Sequence, residues 1–321
     1  MTDQENKITC KKCGSNAVVK FGTYKGKQLY WCKACKTKFK DDDTTFHMKT
    51  PAQQVSSALS MYYEGMSIEA VRRQLQQVYG KRPSSATVYE WIQKYTQYAT
   101  DSVRGYHPKV GDKWVADETV LKIDGQNIWF WDIIDSKTRY LLASWVSTTR
   151  TTADAQQLME RAAKRAGKAP KEVITDKLHA YLDGIEIAYG GDTEHRQGSP
   201  FNVENNSNLI ERFHGTLKAR TKVMRGLKNI ESAIDFTEGW LVHYNYLRPH
   251  ISLKDRTPAE AAGIAYPYKN WDDIVRKHIP ADKVVISHVR RGFHALPETR
   301  VSKARITRRR RVSMPRIRIS R

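Results

Sequence analysis

The sequence predicts an α/β protein, a sheet with helices on both faces, preceded by a small cysteine-rich β unit and a run of short helices. Three observations carry this. β-favouring runs at 114–123, 127–134 and 140–147 follow one another and lead into a helix, a short strand and further helices, the order of a layered α/β sheet. All four cysteines lie within the first 35 residues. Between these regions, residues 52–98 have the periodicity and punctuation of three helices.

Composition bounds the function classes. A chain of 321 residues is long enough for two domains or more. Its 55 Lys+Arg against 34 Asp+Glu give +21, which favours a polyanionic partner, nucleic acid before an anionic membrane surface. No apolar run approaches the ~18–20 residues of a spanning helix. The start, MTDQENKITC, has no apolar export-signal core. The expectation is a soluble, intracellular chain with no membrane partner.

The cysteines form Cys10-x2-Cys13 and Cys32-x2-Cys35 with 18 residues between the pairs. Two such knuckles match tetrahedral Zn²⁺ coordination, with all four positions filled. Ala17–Phe21 and Gln28–Trp31 are β-favouring runs around a turn at Lys25-Gly26, so residues 1–43 read as a zinc ribbon. Two disulfides suit an oxidising compartment instead, and a redox CxxC needs only one pair. A segment this short buries too little to fold alone, so one structural Zn²⁺ would fold it.

After the acidic linker Lys40–Asp43, Ala52–Glu64 reads as a helix stopped by Gly65. Ser67 caps a second to Tyr79, Gly80–Pro83 turns, and Ser84 caps a third, Ala86–Tyr98. Residues 44–105 therefore resemble a helix-turn-helix domain presenting Ser85, Thr87, Tyr89 and Gln93 to a DNA groove. An ordinary three-helix bundle is the other reading.

From Lys113 the pattern is strand-like. Trp114–Ile123 alternates loosely, Asp124-Gly125 favours a hairpin, and Asn127–Ile134 and Tyr140–Ser147 complete three antiparallel candidates. Thr152–Ala166 is a helix with Ala155, Leu158, Met159 and Ala162 inward. Glu172–Thr175 is a short strand ending at Asp176, and a helix follows from about Lys177. Over 208–228, Ile210, Phe213, Leu217 and Met224 share one side of a helix, while Glu211, His214, Lys218, Lys222 and Arg225 share the other. Arg220 lands on the apolar arc and predicts a bend or an early end.

Three acids on separate elements form a candidate site. Asp117 interrupts a strand, where β-propensity disfavours Asp. Asp176 is at the carboxyl end of a strand, where open α/β sheets build sites. Glu211 is on a polar helix face. Carboxylates of this kind suit two Mg²⁺ or Mn²⁺ ions, which activate an attacking oxygen and stabilise a leaving one. Glu118 replaces Asp117 if the strand register is off by one. The bland alternative is three surface acids among 34.

The stretches WVADETVLKIDGQNIWFWDIID, ITDKLHAY and NSNLIERFHGTLKARTKVMRG resemble the catalytic core of bacterial and archaeal insertion-sequence DDE transposases, which have a ribonuclease H-like fold. The 34 residues between Asp176 and Glu211 are within that superfamily's range. The resemblance implies that Asp117, Asp176 and Glu211 are the metal-binding triad, with Lys218 the basic residue seven positions after the glutamate. HYNYLRPHISLKDRTPAEAAG is similar to the segment closing the same domain, so the catalytic domain is expected over 106–265. The ribbon and helix-turn-helix are also a familiar amino-terminal arrangement. ERFHGTLK departs from the commonest bacterial version towards retroviral-type integrases.

The implied activity is DNA transposition by metal-dependent phosphoryl transfer. Water cleaves a phosphodiester at the element's end, and the freed 3′-hydroxyl attacks target DNA. Arg212, His214, Lys218 and Lys222 would hold phosphates. The partners implied are duplex DNA and at least one further copy of the chain, at the nucleoid in a prokaryotic cytoplasm. Tyr246–His250 is expected to shape packing. Residues 266–321 are expected to form a small appendage and a tail. Arg300–Arg321 holds ten Lys/Arg and no acid, including Arg308, Arg309, Arg310 and Arg311, and reads as a DNA-backbone arm. A DNA-binding regulator, an inactive copy and a structure-selective nuclease of the same fold are the competing readings.

Overall fold

The structure, a computed structural model, describes residues 8–46, 48–123, 125–198, 208–223 and 230–276. β1 (Val18–Tyr24), β2 (Lys27–Cys32) and β3 (Thr37–Lys40) form an antiparallel sheet in that order. The β1–β2 turn is tight because Lys25 and Gly26 both take positive φ, 51° and 74°. Tyr30 and Phe39, paired across β2 and β3, close a small separate core with Cys10 and Cys32.

Three helices follow: α1 (Ala52–Tyr63), α2 (Ile68–Tyr79) and α3 (Ser85–Val103). Ser67 and Ser84 accept the N-cap hydrogen bonds expected of them, and Gly80 ends α2 in the left-handed conformation. The third helix runs past Tyr98 because Ala99 and Val103 continue its buried stripe.

The main sheet has the order β6-β5-β4-β7-β8, with β4 (Lys113–Ile123), β5 (Gln126–Asp135), β6 (Leu141–Ser147), β7 (Glu172–Thr175) and β8 (Glu194–Gln197). The first three are antiparallel, while β7 and β8 run parallel to β4. The parallel crossovers are made by α4 (Thr152–Ala166) and α5 (His179–Tyr189). A Thr151–Asp154 capping box starts α4. The two helices meet closely at Gly184, where an added Cβ would lie 2.7 Å from Ala155 Cβ. Strand β8, sequence EHRQ, was not expected, because this edge strand has no apolar alternation to betray it.

Alternation along β4 sends its two acids to opposite faces. Asp117, paired with Asp132, faces α6 (Asn208–Lys222). Glu118, paired with Trp131, faces α5, where Tyr181 meets both. The arrangement is an α/β fold, a mixed sheet covered by helices on both faces.

α7 (Ile230–Val242) continues into a π-helical turn, His243–Leu247, followed by α8 (Pro258–Ala261) and α9 (Trp271–Arg276). Tyr246 does shape packing: its hydroxyl lies 2.7 Å from that of Tyr140. Helices α1 and α3 pack on α7 and α9 and share one hydrophobic core with the sheet. Tyr63 stacks on Trp271, ring centroids 4.8 Å apart, and fills the space beside Gly239 where any Cβ would clash.

Arg220 lies on the apolar arc as read from the sequence, and of the two expected outcomes it is the early end that holds, α6 stopping two residues later. Helix α6 runs through it to Lys222, and its guanidinium lies 3.9 Å from the Tyr62 ring centroid, buried between α1 and α7. An arginine on an apolar arc is accommodated by an aromatic face, with no bend required. Asp124, Met224, Arg225 and Arg308–Arg311 lie outside the described residues.

Candidate active site

Register brings the first two acids together. Val115 of β4 is level with Ile174 of β7 in a parallel pair, so Asp117 and Asp176, two residues further on, reach the same height. Asp117, Glu118 and Asp176 each offer an oxygen within 4.8 Å of the others. Asp176 Oδ1 accepts the Leu178 N–H at 2.9 Å, which orders the loop into α5.

Such proximity is electrostatically unfavourable without a cation. Burial, with the charges of Glu118 and Asp176 added and His214 opposing, pushes the Asp117 carboxyl up to about 6. Arg150 supplies positive charge here. It pairs with Glu118 and reaches Asp176 Oδ2 at 3.8 Å, while its guanidinium lies over the Trp129 ring. Nothing in the sequence marked Arg150, which sits in a polar loop among threonines.

Glu118 has a different environment from its neighbour. Its side chain is 2% exposed and takes a 2.8 Å hydrogen bond from the Tyr181 hydroxyl as well as the Arg150 pair. Among the described residues Glu211 falls outside this carboxylate group; it is exposed on the first turn of α6.

His214 departs most from expectation. It is not at the surface to hold phosphate but buried, with Nε2 3.1 Å from Asp132 Oδ2 and Nδ1 3.5 Å from Asp117 Oδ2. Asp132 is fully buried, accepts a 2.8 Å bond from Ser144, and is raised by that burial. Sequence reasoning missed Asp132; its signal was a second acid in the apolar run WFWDIID. Arg212, Lys218 and Lys222 are exposed along α6, as their positions suggested.

On α3, Ser85, Tyr89 and Gln93 are exposed. Thr87 is partly committed, its hydroxyl 2.8 Å from Ser84 Oγ at the helix cap. The exposed acid Glu90 lies among them.

In the amino-terminal unit, Cys10 and Cys35 sulfurs are 3.5 Å apart and those of Cys13 and Cys32 3.6 Å, with no disulfide. A tetrahedral site with ~2.3 Å Zn–S bonds needs S···S separations of roughly 3.8 Å. Burial pushes the Cys10 thiol up, while at Cys32 hydrogen bonds from the neighbouring cysteines outweigh burial and bring the thiol down. Four thiolates this close together call for a cation among them. Both the cysteines and the carboxylates are groups of ligand atoms able to hold a metal.

Residues 111–250 match the family described as DDE domain. Over 92 residues the chain is 34% identical to the transposase for insertion sequence-like element IS431mec of Staphylococcus aureus, covering 29% of this chain and 40% of the relative. The same figures hold for the transposase for insertion sequence element IS257 in transposon Tn4003, also from Staphylococcus aureus. The match therefore spans about two fifths of the curated relatives' length. Among solved structures, the HTLV-2 integrase catalytic core domain in complex with magnesium aligns with TM-score 0.37 and 19% identity, covering 48% of this chain and 97% of that one. The catalytic core domain of BIV integrase aligns with TM-score 0.36 and 18% identity, covering 47% and 93%. No helix among the described residues is long and apolar enough to cross a membrane.

Proposed function

We propose that this chain, which carries a DDE domain over residues 111–250, is a DNA transposase that cleaves the ends of an insertion sequence and joins them to target DNA. The observation that carries the reading is the level placement of Asp117 and Asp176 on adjacent parallel strands. Asp117 and Asp176 would hold two Mg²⁺ or Mn²⁺ ions, with Glu211 of α6 as the third carboxylate. Glu118 is the weaker choice because its oxygens are engaged by Tyr181 and Arg150 on the face away from α6.

When bound, such ions polarise the phosphodiester and stabilise charge on the attacking and leaving oxygens. The chain's own residues do the positioning. His214, backed by Asp132, fixes the Asp117 carboxyl; Arg212, Lys218 and Lys222 present a cationic helix face to the DNA backbone. Ser85, Thr87, Tyr89 and Gln93 of α3 would read the element's ends, and Arg308–Arg311 would add sequence-independent affinity. Cys10, Cys13, Cys32 and Cys35 would hold one structural Zn²⁺. The chain would act as a dimer or larger assembly, because two ends must be cut and joined together, at the nucleoid of a prokaryotic cytoplasm.

The test is purified protein with end DNA and Mg²⁺ or Mn²⁺, scored for cleaved and joined products on a gel. Joined products support transposition. Cleavage without joining favours a nuclease, and binding without either favours a regulator or an inactive copy.

A further inference from the structure

The outer face of the three-stranded amino-terminal sheet is apolar, aromatic and uncovered. Side chains directly opposite in an antiparallel pair share a face. Val19, Trp31 and Lys38 form one such row, and Gly22, Leu29 and Lys40 the next. Tyr30 and Phe39 point to the other side, into the cysteine core. A register shift between Lys20 and Gly22 inserts Phe21, whose ring lies 5.9 Å from that of Trp31 on the outer face. Past the shift, Tyr24 pairs with Lys27 on the same face. Phe21 is 48% and Tyr24 51% exposed, with Val19 exposed beside them.

The surrounding charge is predominantly positive, although Asp42, just past β3, pairs with Lys11 and with Lys27 at 3.6 Å. Residues 8–40 contain nine lysines and no acid. Lys38 Nζ lies 3.9 Å from the Phe21 ring centroid, and Lys40 Nζ 4.9 Å from that of Tyr24. Exposed cation–π contacts of this kind are weak and readily exchanged. A base stacking on either ring can displace the ammonium, which then meets the adjoining phosphate.

We propose that this face binds a single strand of DNA, with unpaired bases stacked on Phe21, Tyr24 and Trp31 and the backbone held by Lys38 and Lys40. A duplex keeps its bases' π-faces inside the stack, so an aromatic sheet surface suits an unpaired strand, whereas cations alone would suit either form. The choice of DNA over RNA rests on the function proposed above, whose chemistry exposes DNA strands. The stacking chemistry itself does not depend on it.

The experiment uses the full chain with zinc, without divalent metal in solution, so that cleavage plays no part. Fluorescence anisotropy compares an oligothymidylate of about 16 nucleotides, its RNA counterpart oligouridylate, and a mixed-sequence duplex of equal length. Phe21→Ala with Tyr24→Ala should weaken single-strand DNA binding at least about tenfold and duplex binding less than about twofold. Tyr24→Phe should keep wild-type affinity, because the ring is retained. Lys38→Gln with Lys40→Gln should flatten the salt dependence for the strand. Zinc content near one per chain in each variant shows that the ribbon is folded. Where a variant loses it, photocross-linking of an iodouracil-substituted strand to wild-type residues 18–40 decides in its place. Equal losses on strand and duplex, unchanged strand binding, cross-links elsewhere, or preference for RNA would each overturn the proposal.

Discussion

His214 and Asp132 form a buried pair behind the candidate active site, Nε2 to Oδ2 at 3.1 Å, and the other ring nitrogen faces Asp117. Strand pairing sets this up, because Asp117 and Asp132 are direct partners across β4 and β5 and α6 lays His214 over both. A buried acid without a partner is costly, so the pair has a structural role whatever the site does.

His214→Ala should therefore destabilise the protein by about 1–3 kcal/mol in denaturant unfolding, since it strands the buried Asp132 carboxyl. Affinity for duplex DNA and its salt slope should hardly change. The reverse pattern, stable protein with weakened binding and a flatter slope, would mean that His214 contacts phosphate after all.

Asp176→Asn should keep DNA binding and lose at least about a hundredfold in cleavage rate, because it removes ligand charge at nearly constant shape. Glu211→Gln should behave alike without loss of stability. Glu118→Gln should instead lower the unfolding midpoint, since it weakens the contacts with Arg150 and Tyr181. If Glu118→Gln abolishes cleavage and Glu211→Gln leaves it intact, the third ligand is Glu118.

Metal analysis should find one zinc per chain, lost in Cys32→Ser together with protection of residues 8–40 from protease. Zinc unchanged in that variant would reject the site.

Truncation at Pro297 removes the ten cations of Arg300–Arg321. Binding to every duplex should weaken by a similar factor, with the log–log salt slope flattened by roughly 0.9 for each phosphate that the tail neutralises. Gln93→Ala with Thr87→Ala should do the opposite, reducing discrimination between ends at nearly constant slope. Loss of end preference on truncation, measured by competition binding, would assign base reading to the tail.

Stability should also fall on acidification through His250. Burial lowers its folded-state value to about 4 from the usual 6.5. Between those values the unfolded chain binds a proton that the folded chain refuses, so stability is present above pH 6.5 and is lost as pH falls towards 4. His243, also lowered by burial, acts in the same direction. His250→Gln should flatten the pH dependence of the unfolding midpoint over this window. An unchanged slope would show that the proton is taken up elsewhere.

Periodicity and punctuation made most of the elements legible. Helix α4 and strand β7 have the limits read from sequence, because a capping box, left-handed glycine and apolar stripe mark α4, and a short apolar run marks β7. Strand β8 was illegible, since its pairing with β7 depends on backbone groups and not on side-chain pattern. The environment of His214 was misjudged, whereas Arg220 is buried on the apolar arc where the helical wheel put it. A wheel ranks residues by polarity, but His214 goes inside because Asp132 waits there for it.

The sequence alone determined the order of the elements apart from β8, the spacing of the cysteines and the excess of positive charge, which are properties of local spacing and composition. Asp117 and Asp176 were singled out by the resemblance to DDE transposases. The tertiary structure decided which acids meet. Parallel register set Asp117 beside Asp176, the alternation of β4 turned Glu118 to α5, and cross-strand pairing put Asp132 behind His214. Those outcomes depend on pairings between segments up to about 80 residues apart, which no local pattern encodes, because hydrogen-bond register is chosen only when the whole sheet assembles.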